Sequence, residues 1–149
     1  MIIKEAPIDI FRTKGQTITC PVNCYGTMGN GLALAFRNRF TGLNTYYQYL
    51  IENGLRVGEV HMFKVYDTPQ QILLFPTKAQ FWDDSKASFI ETGLQTLARN
   101  IEALEIKELF VPALGCGKGN LDYERDVRPL LYKYLDPLPI PVTICLSTR

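Results

Sequence analysis

Residues 22–36 read VNCYGTMGNGLALAF. Three glycines, Gly26, Gly29 and Gly31, fall within six residues, after a β-branched run and ahead of an amphipathic one. Glycine tolerates positive φ and leaves no Cβ in the way of an approaching ligand. A second loop of the same kind, Gly115-Cys-Gly-Lys-Gly119, follows the apolar run LFVPAL at 109–114. Either loop alone reads as a tight turn. Placed at equivalent positions, each after a strand and ahead of a helix, they read as an anion site. Successive backbone N–H groups can cup phosphate oxygens, helped by the next helix N-terminus. Ligands of open α/β sheets sit at the carboxyl ends of strands, so two such loops facing one crevice suit a diphosphate.

Working outward, the first strand falls within residues 2–10, interrupted by Pro7, and Thr17–Val22 is a short second one. Helices are predicted over Gly31–Arg39 and Leu43–Asn53, the latter closed by Gly54 as a C-cap. Glu59–Tyr66 alternates as a half-buried strand, and Gln71–Phe75 follows after a turn at Asp67–Pro69. Ser85 starts the longest helix, to Leu104, with Phe89, Leu94, Leu97, Ala98, Ile101 and Leu104 on one core face. Leu109–Leu114 suits a strand covered on both sides, Tyr123–Leu135 a last helix and Val142–Leu146 a last strand. Strands alternate with helices, so the class is α/β with a mostly parallel or mixed sheet.

The 149 residues fit one domain, 46% of them hydrophobic and 21% charged. A net charge of +1 removes the overall basic surplus of many nucleic-acid binders. No apolar run approaches a membrane span and MIIKEAPIDIF lacks a signal-peptide core, so a cytoplasmic protein is expected. Cys20, Cys24, Cys116 and Cys145 form no CxxC pair and read as reduced thiols packed as small hydrophobes. His61 is the single histidine and alternates with apolar neighbours, which suits a strand surface rather than zinc or catalysis.

Familiar nucleotide and hydrolase motifs are missing. GTMGNG matches neither GxxxxGK[ST] nor GxGxxG, no acidic residue stands about 20 positions past it, and there is no GxSxG elbow.

Four stretches together resemble a macro domain, the ADP-ribose-binding fold. They are VNCYGTMGNGLALAF, FPTK at Phe75–Lys78, DDSKASFIETGL at 83–94, and PALGCGKGNLDYERDVRPLL at Pro112–Leu131. More narrowly, they resemble the macro domains of the DarG antitoxins, which remove ADP-ribose from DNA. The resemblance implies a single three-layer α/β/α domain over 1–149, with a mixed, mostly parallel sheet of about six strands. It places ADP-ribose between the two loops. Asn23 would contact the distal ribose, with Tyr25, Met28, Gly29 and Gly31 along the first loop. Gly115, Cys116, Gly117, Lys118 and Gly119 would wrap the diphosphate. Asp9 stands where the family often accepts from the adenine amino group, but Ile8 replaces the usual preceding glycine; a surface carboxylate is the equal alternative. Lys118 reads equally as a counter-charge and as a solvated loop residue.

The same resemblance ties the lysine of FPTK to hydrolysis and brings Thr77 beside the ligand. Lys78, flanked by Phe75, Pro76 and Phe81, is expected to be partly desolvated, which favours a neutral amine able to attack the anomeric carbon. The alternative is electrostatic help to the departing base. Gly119 occupies the position where a related glycohydrolase group has an aspartate, and Asp122 reads as the N-cap of the helix from Tyr123. Tyr25 and Phe81 suit either a stacking platform or the apolar wall of the cleft, and Trp82 reads as a packing residue. The implied activity is an ADP-ribosyl hydrolase acting on modified, single-stranded DNA. Its rivals are an ADP-ribose-1″-phosphate phosphatase and a non-catalytic ADP-ribose reader. No cofactor, metal or membrane partner is implied.

Overall fold

The computed structural model describes residues 3–146. Strands β1 (Ile3–Ala6), β2 (Thr17–Asn23), β3 (His61–Lys64), β4 (Gln71–Lys78), β5 (Leu109–Pro112) and β6 (Val142–Cys145) form one sheet in the order β1-β6-β5-β2-β4-β3. Every neighbouring pair is parallel except β3–β4, which is antiparallel. The expected mixed, mostly parallel sheet of six strands is therefore observed.

The helices are α1 (Gly31–Arg39), α2 (Leu43–Glu52), α3 (Ala87–Arg99) and α4 (Arg128–Leu135). Successive side chains of a strand point to opposite faces, and β2 splits accordingly. Ile18, Cys20 and Val22 join Phe36, Leu43, Tyr47 and Leu50 of α1 and α2 in one core. From β4, Leu73 and Phe75 join Ile90, Leu94 and Leu97 of α3 and Leu131 and Leu135 of α4 in the other. The second core is close-packed where it matters most. A Cβ on Gly93 would lie 2.4 Å from the Phe75 ring, so α3 sits flush on the sheet only because that position is bare.

Several boundaries differ from those read off the sequence. β4 runs on through Pro76 and Thr77 to Lys78, because its pairing with β2 continues to Asn23 across an irregularity at Val22/Asn23. α3 is shorter at both ends, with Lys86 as N-cap and Asn100 as C-cap, and Leu104 lies in the turns beyond it. The single helix expected from Tyr123 is two pieces: a π turn over Tyr123–Val127, then α4. Pro129 has no N–H to give the preceding turn, and the hydrogen bonding there widens. Gly54 does end α2 as expected, at φ +82, donating its N–H to the Ile51 carbonyl at 3.0 Å.

The sheet also opens where the site lies. β2 and β5 are neighbours, yet their ladder holds only two pairs, Thr17–Leu109 and Ile18–Phe110. Past these stand Pro21 and Pro112, which have no N–H to extend it, and the strands part.

Candidate functional site

The gap between the parting strands is a cleft of about 1030 Å³, walled by Pro21, Val22, Pro112 and Ala113 and roofed by both glycine loops. Asn23, Gly29, Gly31, Thr77, Lys78, Gly115, Gly117, Lys118 and Gly119 all line it, so one cleft gathers most of the residues singled out in the sequence.

The first loop is braced by side chains. Asn23 is 7% exposed, and its Oδ1 accepts from the backbone N–H groups of Tyr25 and Gly26 at 3.0 Å each and of Thr27 at 3.4 Å. Its Nδ2 donates to the Thr27 carbonyl at 3.0 Å and to Thr27 Oγ1 at 3.1 Å. From α2, the buried Tyr47 hydroxyl donates between the Asn23 carbonyl at 2.6 Å and Oδ1 at 2.8 Å, and Gln48 Nε2 donates to the Gly26 carbonyl at 2.8 Å. Asn23, expected at the distal ribose, thus has its side chain spent on the loop itself. Burial raises the Tyr47 hydroxyl well above its ordinary pKa, so it stays a donor at any physiological pH. Tyr47 and Gln48 were not singled out in the sequence, because only the fold brings them to a loop some twenty residues earlier.

The second loop is braced by lack of room. A Cβ on Gly119 would lie 2.4 Å from the Gly115 carbonyl oxygen, and one on Gly115, at φ +76, 2.8 Å from Leu121 Cδ1. Both glycines press on Ser85. Ser85 is 5% exposed, donates its hydroxyl to the Thr77 carbonyl, and donates its N–H to the Gly119 carbonyl at 2.9 Å. Ser85, read from the sequence as a helix start, instead ties β4 to the loop. By contrast, a Cβ on Gly29 or Gly117 would meet nothing within 4 Å, and neither has a positive φ. Nothing within the chain requires glycine at those two positions, and both open on the cleft.

Lys78 closes β4 at the cleft wall. Its Nζ donates to the Phe81 carbonyl at 2.9 Å and to the Lys118 carbonyl at 3.4 Å, so the amine bridges the β4–α3 connection and the second loop. Of the three flanking residues, Phe75 belongs to the core on the α3 side of the sheet, whereas Phe81 lines the cleft with Lys78. Lys78 is half-buried.

Among the described residues, four expected contacts fall outside the lining. The Met28 side chain is 2% exposed and packs in the core under α1 and α2, so the side chain itself does not reach the cleft. Asp9 caps the short 3-10 turn at Ile10–Arg12, accepting from the Phe11 N–H at 3.0 Å. Burial, with the charge of Asp9 adding to it, pushes the Cys145 thiol up to about 12. Cys116 Sγ approaches the Leu114 carbonyl at 3.5 Å, and burial, with Asp122 and Asp126, pushes this thiol up to about 11. It is not a nucleophile near neutral pH. All four cysteines are free. Tyr25 stands on the rim, 51% exposed. Trp82, read as packing, is 58% exposed, which corrects that reading.

Two readings hold. Asp122 caps the π turn, accepting from the Arg125 N–H at 2.7 Å, while Asp126 accepts from the Asp122 N–H at 2.9 Å. His61 sits on β3, its Nε2 3.2 Å from Glu59 Oε1. The lining also includes Asn30 and Asn120, which the sequence reading passed over. Both flank a glycine, and that adjacency was their only signal. No group of side chains suited to hold a metal ion occurs among the described residues, and no helix there is long and apolar enough to cross a membrane.

Known proteins resemble this chain over most of its length. The chain is 37% identical over 138 residues to a protein of Mycobacterium tuberculosis named DNA ADP-ribosyl glycohydrolase, an alignment spanning 88% of this chain and 38% of that protein. The solved macrodomain of M. tuberculosis DarG superposes with a TM-score of 0.90 at 32% identity, covering 99% of both chains. Thermosipho africanus DarTG, solved in complex with ADP-ribose, superposes at 0.88 with 35% identity, covering 95% of this chain and 41% of that one. The chain spans about two fifths of the length of the curated relatives it matches. The family model described as macro domain matches residues 20–129, from the middle of β2 to the start of α4, and so takes in both glycine loops and the lysine between them. The chain belongs to the macro domain family.

Proposed function

We propose that this chain is an ADP-ribosyl hydrolase of the DarG-like kind, which removes ADP-ribose from modified DNA by cutting the glycosidic bond at the distal ribose. The observation that carries it is the convergence of both glycine loops and Lys78 on one cleft, with Gly29 and Gly117 opening on it where no protein atom crowds a Cβ. In this reading the loop N–H groups hold the diphosphate, with Lys118 as counter-charge and Thr77 beside it. Asp9 lies toward the adenine. Asn23 acts by shaping the first loop, and Lys78 is the catalytic amine at the anomeric carbon. The names of the relatives support DNA as the carrier of the modification.

Lys78 can act in two ways, and a pH profile separates them. As a neutral amine it attacks the anomeric carbon while the glycosidic bond breaks and the base leaves with the bonding electron pair. Water then frees the sugar from the lysine, and the rate climbs with alkali until the amine is fully deprotonated. As an ammonium it stabilises the departing base, and the rate falls on the alkaline side. The deciding experiment is release of ADP-ribose from a modified single-stranded oligonucleotide. Lys78→Ala is expected to keep ADP-ribose affinity and lose release. Full turnover by that variant removes the lysine from the mechanism, and turnover confined to modified protein removes DNA as substrate. A reader without activity would bind and release nothing.

A further inference from the structure

Three of the large apolar side chains left exposed by this fold, Tyr25, Phe81 and Trp82, stand together at 51%, 44% and 58% exposure. Ring centroids lie 5.3 Å apart for Tyr25–Phe81, 5.0 Å for Tyr25–Trp82 and 4.7 Å for Phe81–Trp82, each pair edge to face. The rings come from two separate segments, the first glycine loop and the β4–α3 connection. Each segment is tied to the cleft. Tyr25 donates its N–H to Asn23, and the Phe81 carbonyl accepts from Lys78 at 2.9 Å. Phe81 itself lines the cleft. A contiguous exposed apolar patch marks a surface that meets something, and edge-to-face contacts hold these rings in place in advance of any ligand.

We propose that this trio is the subsite for the nucleobase carrying the ADP-ribose, an unpaired base that stacks on the rings while its sugar bond faces Lys78. The inference rests on the hydrolase reading above and names what lies on the far side of the scissile bond. Aromatic platforms suit bases because every base has a π-face to offer. A base reaches such a platform only out of the duplex stack, from a single strand or flipped. The nearby cation, Lys78, lies on the cleft side of the trio, and the carboxylates that follow the trio in the chain support base contact over backbone contact on the outer side. Asp83 and Asp84 follow Trp82 directly and are exposed, which disfavours phosphate there. Recognition at this subsite therefore falls on the base face, and its share of the binding depends little on salt, unlike the share carried by phosphate contacts.

Trp82 is the single tryptophan of the chain, so its fluorescence reports on this spot alone. The wild-type chain is mixed rapidly with four probes: a single-stranded oligonucleotide bearing one ADP-ribosylated base, the unmodified oligonucleotide, free ADP-ribose and an ADP-ribosylated peptide. The modified oligonucleotide is expected to quench Trp82 strongly, and the other three weakly or not at all. Trp82→Ala is expected to lower kcat/KM on the modified oligonucleotide by about ten- to a hundredfold, the worth of one base stack, with free ADP-ribose affinity unchanged. Equal quenching by ADP-ribose or by the peptide overturns the proposal, as does unchanged kcat/KM in Trp82→Ala. The two readings fail separately. Quenching by the modified oligonucleotide without release sinks the hydrolase and leaves the platform. Release without quenching, equal in Trp82→Ala, sinks the platform and leaves the hydrolase. Neither quenching nor release sinks both.

Discussion

The two glycine loops face the same cleft and are held in different ways. The first, after β2, is hung from polar side chains: Asn23 from its own strand, and Tyr47 and Gln48 from α2. The second, after β5, accepts hydrogen bonds at its Gly119 and Lys118 carbonyls from Ser85 and Lys78, but its shape is set by backbone pressed against backbone and against Ser85, with no space for a single added carbon at Gly115 or Gly119. A hydrogen-bonded loop loses stability bond by bond. A close-packed one tolerates nothing larger and fails at once. A run of glycines in a sequence therefore has more than one physical meaning, and the neighbours in space decide which.

The largest effect is expected from Gly119→Ala. The new methyl collides with the rigid Gly115 carbonyl, so overpacking should cost about 1–3 kcal/mol in urea unfolding and should spread the loop enough to weaken ADP-ribose binding in calorimetry. Native stability and affinity together would break the contrast. Asn23→Ala comes next, because it strips several backbone donors of one acceptor; a loss of about 2 kcal/mol is expected, with weaker ADP-ribose binding. Tyr47→Phe sharpens the same side of the comparison at about 1 kcal/mol, read as a lowered Tm, since one buried donor is lost while Asn23 Oδ1 keeps its backbone N–H partners. Gly29→Ala separates folding from binding. Its methyl meets no protein atom, so stability should move by less than about 0.5 kcal/mol while ADP-ribose affinity drops. Equal affinity would mean that no ligand comes near Gly29.

The smallest effect concerns the anchor downstream of the second loop. The Tyr123 hydroxyl donates to Glu5 on β1 and Arg128 pairs with it at 2.9 Å, which together hold the Glu5 carboxyl below its ordinary range. The stabilisation is present above the ordinary glutamate pKa and fades as pH falls through the lowered native value. Glu5→Gln should thus be less stable than the parent near neutrality, by under about 1 kcal/mol, and the gap should close in acid. A gap that persists at low pH would show that the contribution is not ionic.

The order of elements and the cleft at the ends of β2 and β5 were legible in the sequence, because they follow from local signals. Thr17–Asn23 is β-branched and apolar, Gly31 begins an amphipathic run, and LFVP is apolar throughout. Side-chain direction inside the loops was not legible. Met28 lies between glycines in a segment without periodicity, so nothing local says that it turns into the core while Gly29 faces the cleft. The partners of Asn23 were hidden for a different reason: Tyr47 belongs to an amphipathic helix whose apolar face accounts for it without any mention of a hydroxyl. Trp82 was misjudged because a large aromatic is usually covered, and only its position beside Tyr25 and Phe81 explains why it is left in solvent.

The halted ladder between β2 and β5 has a thermodynamic consequence. A guest entering between these strands breaks no sheet hydrogen bonds, since none join Pro21 to Pro112, so its binding energy is not drained by prising the protein apart. Two imino acids keep the doorway ajar, and the empty and occupied forms can share one backbone.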